Sequence, residues 1–334
     1  MPKPTDFNRR QLMIGTAIAG AALPIAACAA SESESKPDLS GKSVLITGCS
    51  SGFGRLGAIY YASLGAKVFA SMRNLPREEA KSLQAIADKD KLELEIIEID
   101  VLSDQQVERG VTKVLEATDN KLDVLINNAG IGITGPVELQ DMQATKLAFD
   151  TNVFGVQRML RACLPAMRAA GEGQIFNISS QIGRLVVPGA GHYCATKFAL
   201  ESLSEQLAYE MVPRGIDVTI IEPGGYPTKI WVNRNVYTGD LKKRSDPARV
   251  AGYPMLAKGM GVEDGSSRST DPMDVPREIA RLMALPKGTR PLRKEIHPTW
   301  RPQEKLNKAA AEAQLTFLGK SPLAPWIKAV HGRD

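Results

Sequence analysis

Ser43-Val44-Leu45-Ile46-Thr47-Gly48-Cys49-Ser50-Ser51-Gly52-Phe53-Gly54 is the stretch on which the reading of this chain turns. Ser43 to Ile46 form a short, largely apolar run of strand type. Three glycines follow in a GxxxGxG spacing, and a helical pattern then continues to about Leu64. A strand, a glycine turn and a helix in that order make an anion site. The first amides of the helix have no intrahelical acceptor, and the helix dipole favours negative charge there. The spacing differs from the GxGxxG of the common dinucleotide fingerprint, so its meaning depends on the segments that flank it.

Those segments repeat the unit. Lys67 to Ser71 reads as a second strand, followed by a helix over Arg77 to Ala87. Leu92 to Ile99 reads as a third strand ending at Asp100, and the next helix, Ser103 to Ala117, has Ser103 as its N-cap. Leu122 to Ile126 is a fourth strand closed by Asn127-Asn128-Ala129-Gly130, and one long helix spans Asp141 to Ala170. A fifth strand, Gln174 to Ile178, ends at Ser179-Ser180, and a helix runs from about His192 to Val212. Asp217 to Ile221 is a sixth strand ending at Pro223-Gly224, and Pro291 to His297 suits a seventh. Strands alternating with helices predict an α/β fold of Rossmann type, a doubly wound parallel sheet with helices on both faces. Ligands in such sheets bind beyond the carboxyl ends of the strands, where nearly every distinctive residue of this sequence falls.

Within that frame Tyr193 and Lys197 stand four apart and share a helix face. A phenol with a reference pKa near 10 does little acid–base work at neutral pH, and a neighbouring ammonium favours its ionised form. Thr47-Gly48-x-x-x-Gly52-x-Gly54, Asn127-Asn128-Ala129-Gly130, Ser180, Tyr193-x-x-x-Lys197 and Pro223-Gly224-x-x-x-Thr228 together resemble the short-chain dehydrogenase/reductase family over roughly residues 41–300. Ser180 precedes Tyr193 by 13 residues, which selects it over Ser179 as the family serine.

The resemblance implies a hydride-transferring oxidoreductase that interconverts an alcohol and a ketone or aldehyde. It makes Tyr193 the general acid/base and gives Lys197 two tasks, lowering the phenol pKa and holding the nicotinamide ribose. Ser180 would orient the substrate oxygen. Asn152 would hold a water that links Lys197 to solvent. For the dinucleotide it implies Gly48, Ser50, Ser51, Gly52, Phe53 and Gly54 around the phosphates. Asp100, Val101, Asn127, Ala129 and Gly130 would lie along the adenosine, and Pro223, Gly224 and Thr228 over the nicotinamide. Other readings of the same fold are epimerisation or imine reduction on a tightly held cofactor, and a non-catalytic dinucleotide sensor.

The second strand ends Ser71-Met72-Arg73-Asn74, without the carboxylate that an NAD-selective site places on the ribose diol. Arg73 instead suits the 2′-phosphate of NADP, with Arg55 adding positive potential nearby. NADP is therefore the expected cofactor and NAD the alternative.

Composition sets the outer bounds. At 334 residues, 43% apolar and 24% charged, the chain has ample material for one large core. A net charge of +5 without an aromatic-interleaved basic run disfavours nucleic acid. Cys28, Cys49, Cys163 and Cys194 show no CxxC spacing, and with no clustered histidines no metal site is expected.

The N-terminus carries Arg9-Arg10 ahead of a small-residue apolar run that ends Ile25-Ala26-Ala27-Cys28. That pattern resembles a twin-arginine export signal with a lipobox, and plain cleavage after Ala29 competes with lipidation of Cys28. The expected location is periplasmic or membrane-anchored, with cytoplasmic as the alternative. Residues 1–30 would be the signal and 31–40 a polar linker. Residues 226–270 would form a substrate lid whose aromatics and methionines suit a fairly apolar carbonyl or alcohol. Residues 301–334 would be a C-terminal extension that caps the domain or a neighbour, the whole assembling as a homodimer or homotetramer.

Overall fold

Seven parallel strands form one sheet in the order β3-β2-β1-β4-β5-β6-β7 in the computed structural model, which describes residues 36–332. The strands are β1 (Ser43–Ile46), β2 (Lys67–Met72), β3 (Leu94–Glu98), β4 (Val124–Asn127), β5 (Gly173–Ile178), β6 (Ile216–Pro223) and β7 (Arg293–Ile296). The order reverses between β1 and β4, which opens the crevice where such sheets bind ligands. β1, β4, β5 and β6 are buried along their whole length. That is what covering both faces requires, and it explains why these strands read as continuous apolar runs without alternation.

Helices α1 (Gly52–Ser63), α2 (Glu78–Asp90) and α10 (Asp274–Ala284) cover one face. Their core includes Tyr61, Leu83, Ile279 and Met283 packed against Val44, Val68 and Ile126. The other face carries α3 (Asp104–Glu116), α5 (Gly155–Ala170) and α6 (Tyr193–Met211), which bury Val111, Met159, Cys163 and Leu207 against Leu45, Leu125 and Ile175. Ser103 caps α3 as expected, its side chain accepting from the Gln106 amide at 3.2 Å.

Three expectations change. The helix expected from Asp141 to Ala170 is broken into α4 (Met142–Phe149), a single π-helical turn (Asp150–Phe154) and α5. A π-turn inserts one residue into the ladder, which no side-chain period announces, and such turns recur at functional sites. The expected linker of 31–40 is not wholly a linker, since Leu39 is fully buried in the first core and its amide donates to Leu64 O.

The region 226–270 is also more ordered than a lid loop. It holds α7 (Ile230–Arg244) and two short helices, α8 (Pro247–Ala251) and α9 (Pro254–Gly259), over a small separate core of Ile131, Ile133, Leu139, Leu241 and Met260.

The extension 301–334 joins the body through α11 (Glu304–Leu318) and α12 (Ala324–His331). Val330 of α12 enters the second core, and the Asn307 amide donates to the buried Glu222 carboxylate at 2.9 Å. Burial pushes the Glu222 carboxyl up to about 8, with the Glu201 charge adding to the rise. Residues 36–332 thus form one body, and the expected export signal with Cys28 lies outside the described residues.

Candidate active site

A cleft of about 860 Å³ runs along the carboxyl ends of the strands. Each wall is the first few residues past a strand: Gly48 to Phe53 after β1, Arg73 after β2, Asp100 and Val101 after β3, Asn128 to Gly130 after β4, Ser180 after β5 and Gly224 to Thr228 after β6. The lid supplies the remaining side, with Trp231, Arg234, Met260 and Arg268 among the lining residues.

In the middle of the cleft the wall is backbone. Gly48 has φ +75°, a left-handed conformation open to glycine, and a Cβ there would sit 3.0 Å from Ala129 Cα. Ser51, the N-cap of α1, is extended and its side chain caps nothing, so the first α1 amides are left for a ligand. An anion fits that position better than any side chain present.

Gly54 does not touch the cleft. A Cβ there would stand 2.5 Å from Gly48 O and from the Asn128 side-chain nitrogen, so this glycine lets α1 pack onto the β1 and β4 loops. Asn127 also departs from expectation. It is 2% exposed, donates to Asn177 Oδ1 at 2.8 Å and lies beneath the cleft floor, whereas Asn128 lines it. Asn127 still belongs to β4 and its side chain lies on a covered face of the sheet, whereas Asn128 opens the turn beyond the strand end. Asn128 is pinned by its own bonds to Thr47 O (2.8 Å) and Thr47 Oγ1 (3.0 Å).

At one end Arg73 and Arg77 both line the cleft, and Arg73 Nη2 donates to the Tyr237 hydroxyl of α7 at 2.8 Å. In the sequence Arg77 is marked only as the start of a helix. Arg55 does not contribute, since its guanidinium turns away to Glu79 O and Ser82 Oγ on α2.

At the other end Tyr193 opens α6, and its phenol lines the cleft together with Ser180, which holds the phenol pKa down against the larger effect of burial. Ser180 lies partly exposed at the cleft while Ser179 is 3% exposed with an unpartnered hydroxyl, so the 13-residue separation picks out the serine that meets Tyr193. Lys197 Nζ donates to Ile178 O at 2.7 Å and sits 5.6 Å from the centroid of the Tyr193 ring.

Asn152 is held by the π-turn. Its Oδ1 accepts from the Ile131 amide (2.8 Å), and its Nδ2 donates to Ile131 O (2.9 Å) and Thr196 Oγ1 (3.0 Å). It therefore splices the loop after β4 to α6 from below, outside the cleft wall. Its Oδ1 and Lys197 Nζ still both lie within 3.8 Å of a Cβ built on Gly130, so the four expected residues do converge.

The titration of the pair differs from the expectation that Lys197 lowers the phenol pKa. Burial pushes the Tyr193 phenol up to about 12, opposed by the Ser180 hydrogen bond and by the charge of Arg234. Burial likewise brings Lys197 down to about 8, opposed by Glu201. With its ammonium turned to the Ile178 carbonyl, Lys197 spends its polarity on backbone rather than on the phenol. The three described cysteines, Cys49, Cys163 and Cys194, are free and buried, and Cys49 in the glycine loop donates to Ile46 O.

A cradle of uncapped amides flanked by arginines at one end and a Ser-Tyr-Lys cluster at the other fits a dinucleotide. Comparison with known proteins agrees with the class. Residues 42–237 match the short chain dehydrogenase family, and the chain belongs to it. A 3-ketodihydrosphingosine reductase of Bacteroides thetaiotaomicron is 38% identical over 193 residues, covering 58% of this chain and 67% of the relative. The mitochondrial D-beta-hydroxybutyrate dehydrogenase of Mus musculus is 37% identical over 192 residues, 56% of this chain, and the match spans only 55% of that relative. Among solved structures, a short-chain dehydrogenase/reductase from Burkholderia phymatum in complex with NAD aligns with TM-score 0.67 and 26% identity, covering 85% of this chain and 97% of that one. The protein is thus an oxidoreductase of the short-chain dehydrogenase family.

Proposed function

We propose that the protein interconverts an alcohol and a ketone or aldehyde, with NADP as its preferred dinucleotide. The observation that carries this reading is that Ser180, Tyr193 and Lys197 line one end of the cleft together, with the Lys197 ammonium 5.6 Å from the Tyr193 ring centroid. When bound, the nicotinamide supplies or takes up the hydride. Tyr193 gives a proton to the carbonyl oxygen in reduction, a role that suits a phenol that burial keeps protonated at neutral pH. Ser180 orients that oxygen with its hydroxyl. Lys197, mostly protonated at neutral pH with a pKa of about 8, keeps the end of β5 and the start of α6 in register. Asn152 fixes the loop at Gly130 against α6 through its bonds to Ile131 and Thr196.

NADP is preferred because Arg73 and Arg77 stand at the end of β2, with Arg73 on the cleft surface. A 2′-phosphate gains charge-assisted hydrogen bonds there. Ala129 and Gly130, with Asp100 and Val101, would hold the adenosine, and Pro223, Gly224 and Thr228 the nicotinamide, since all of them line the cleft. Val187, Met255, Leu256 and Met260 line the outer cleft and suit an apolar body on the substrate.

Tyr193→Phe tests the reading. Carbonyl reduction should fall by about 10³-fold, within the range for loss of a positioned acid, while titration of NADPH fluorescence shows binding within twofold to threefold of wild type. Retained turnover would remove Tyr193 from the mechanism. We further propose export through the twin-arginine signal with lipidation at Cys28, and assembly as a homodimer or homotetramer. An Arg9→Lys, Arg10→Lys double variant that is still exported would overturn the route. A monomeric mass by light scattering would overturn the assembly.

A further inference from the structure

Two guanidiniums meet in the cleft beside Tyr193, from lid positions that are far apart in sequence. Arg234 Cζ lies 4.6 Å from the centroid of the Trp231 ring, and Arg268 Cζ lies 4.1 Å from it. All three residues line the cleft. The Arg234 chain reaches the tyrosine: a Cβ built on Gly132 would stand 3.3 Å from Arg234 Cγ and 3.6 Å from Tyr193 Cδ2. Arg268 lies over the backbone just past β6, and a Cβ on Gly225 would fall 2.0 Å from Arg268 Nη1. Gly225 therefore leaves the space that this guanidinium fills.

The charges around these arginines do not balance. Arg234 Nη2 donates to Glu263 O, a neutral acceptor, at 3.0 Å, and its buried Nε has no partner among the described residues. Arg268 Nε approaches Glu263 Oε1 only to 3.9 Å, and that oxygen already accepts from the Gly265 amide at 2.9 Å. One carboxylate thus stands against two guanidiniums in a partly desolvated wall. Desolvation, with repulsion from Arg268 added to it, lowers the Arg234 pKa. Stacking on Trp231 offsets part of that strain. An anion bridging the two would offset the rest, because guanidinium forks match a carboxylate in bidentate geometry.

We propose that Arg234 and Arg268, stacked on Trp231, form a carboxylate-binding subsite beside Tyr193, so that the substrate is an oxo acid or the corresponding hydroxy acid with an otherwise apolar chain. The inference rests on the carbonyl–alcohol reading above and narrows its substrate class. In the reductive direction the carbonyl carbon gains the hydride and its oxygen gains the proton from Tyr193. The carboxylate is unchanged and serves only as the handle.

The test uses the full chain with NADPH and three probes, pyruvate, acetoacetate and levulinate, each against its methyl ester. Wild type should favour at least one acid over its ester by on the order of 100-fold in kcat/KM, the scale of one lost hydrogen bond to a charged group. Arg234→Met and Arg268→Met should each bring that ratio close to one through KM. Trp231 fluorescence, assigned with Trp231→Phe, should respond to the acid and not to the ester, and should do so in Tyr193→Phe as well. That last arm separates the two proposals, since failure of the catalytic reading leaves the binding signal intact. An ester preference in wild type, or no Trp231 response to any acid, would overturn the subsite. So would a loss of NADPH affinity equal to the loss for the acid in the arginine variants, which would assign the pair to a cofactor phosphate.

Discussion

At the dinucleotide end of the cleft the wall is backbone, contributed by turns that directly follow β1 and β4. At the lid end it is side chains, contributed by Trp231, Arg234 and Arg268 from a segment that inserts three helices after β6. The glycines of the two ends show the contrast most clearly. Gly54 would place a Cβ 2.5 Å from the carbonyl oxygen of Gly48, which is part of the main chain. Gly225 would place one 2.0 Å from Arg268 Nη1, the free end of a long side chain. A backbone wall fixes one ligand shape, whereas a side-chain wall exchanges residues without disturbing the sheet. One family can therefore keep its cofactor and vary what it reduces.

The largest effect should break the first end. Gly54→Val should cost about 3 kcal/mol or more of stability, beyond ordinary overpacking because main chain must move, and urea unfolding measures it. Gly225→Ala should cost less than about 0.5 kcal/mol, as for a change that only displaces a flexible side chain, and should move KM for substrate alone. Equal costs at the two glycines would erase the distinction. Next in size is Arg73→Ala, expected to weaken NADPH by about tenfold and NADH hardly at all, as fits loss of one exposed charge-assisted contact. An equal loss for both nucleotides would make Arg73 a structural residue.

Lys197 stands behind the Tyr193 end, and its titration gives a further test there. Its folded-state pKa of about 8 lies below the ordinary lysine value of 10.5. Between those pH values the unfolded chain holds more protons, so stability rises with pH across that window. Lys197→Met should flatten that rise in thermal melts taken from pH 8 to 10.5. A slope unchanged by the substitution would refute the burial account. A small effect on nucleotide release belongs to Tyr237→Phe, which removes the bond to Arg73. It should cost about 1 kcal/mol or less, the net worth of an exposed hydrogen bond, and show mainly as faster NADPH release in stopped flow.

Most of the architecture was legible because each strand, each phosphate turn and the Tyr193-to-Lys197 spacing is local in sequence. A parallel sheet adds order but does not change which residues end each strand. Ser180 was separable from Ser179 for the same reason, since its distance along the chain from Tyr193 is short. The readings that failed concern direction and contact. Asn127 lies beneath the cleft because it is the last residue of β4 with its side chain on a covered face, and the turn that lines the cleft begins at Asn128. Asn152 sits on a π-turn that apolar periodicity does not reveal.

The sequence by itself determined a doubly wound sheet, the glycine cradle and the Ser180, Tyr193 and Lys197 set, because these depend on residues within a few positions of one strand end. Only the tertiary structure decided that Arg234 and Arg268 share one aromatic ring beside Tyr193, that Arg55 turns away, and that burial raises the phenol pKa instead of Lys197 lowering it. Those outcomes depend on desolvation and on contacts between segments separated along the chain, and no pattern of spacing carries either.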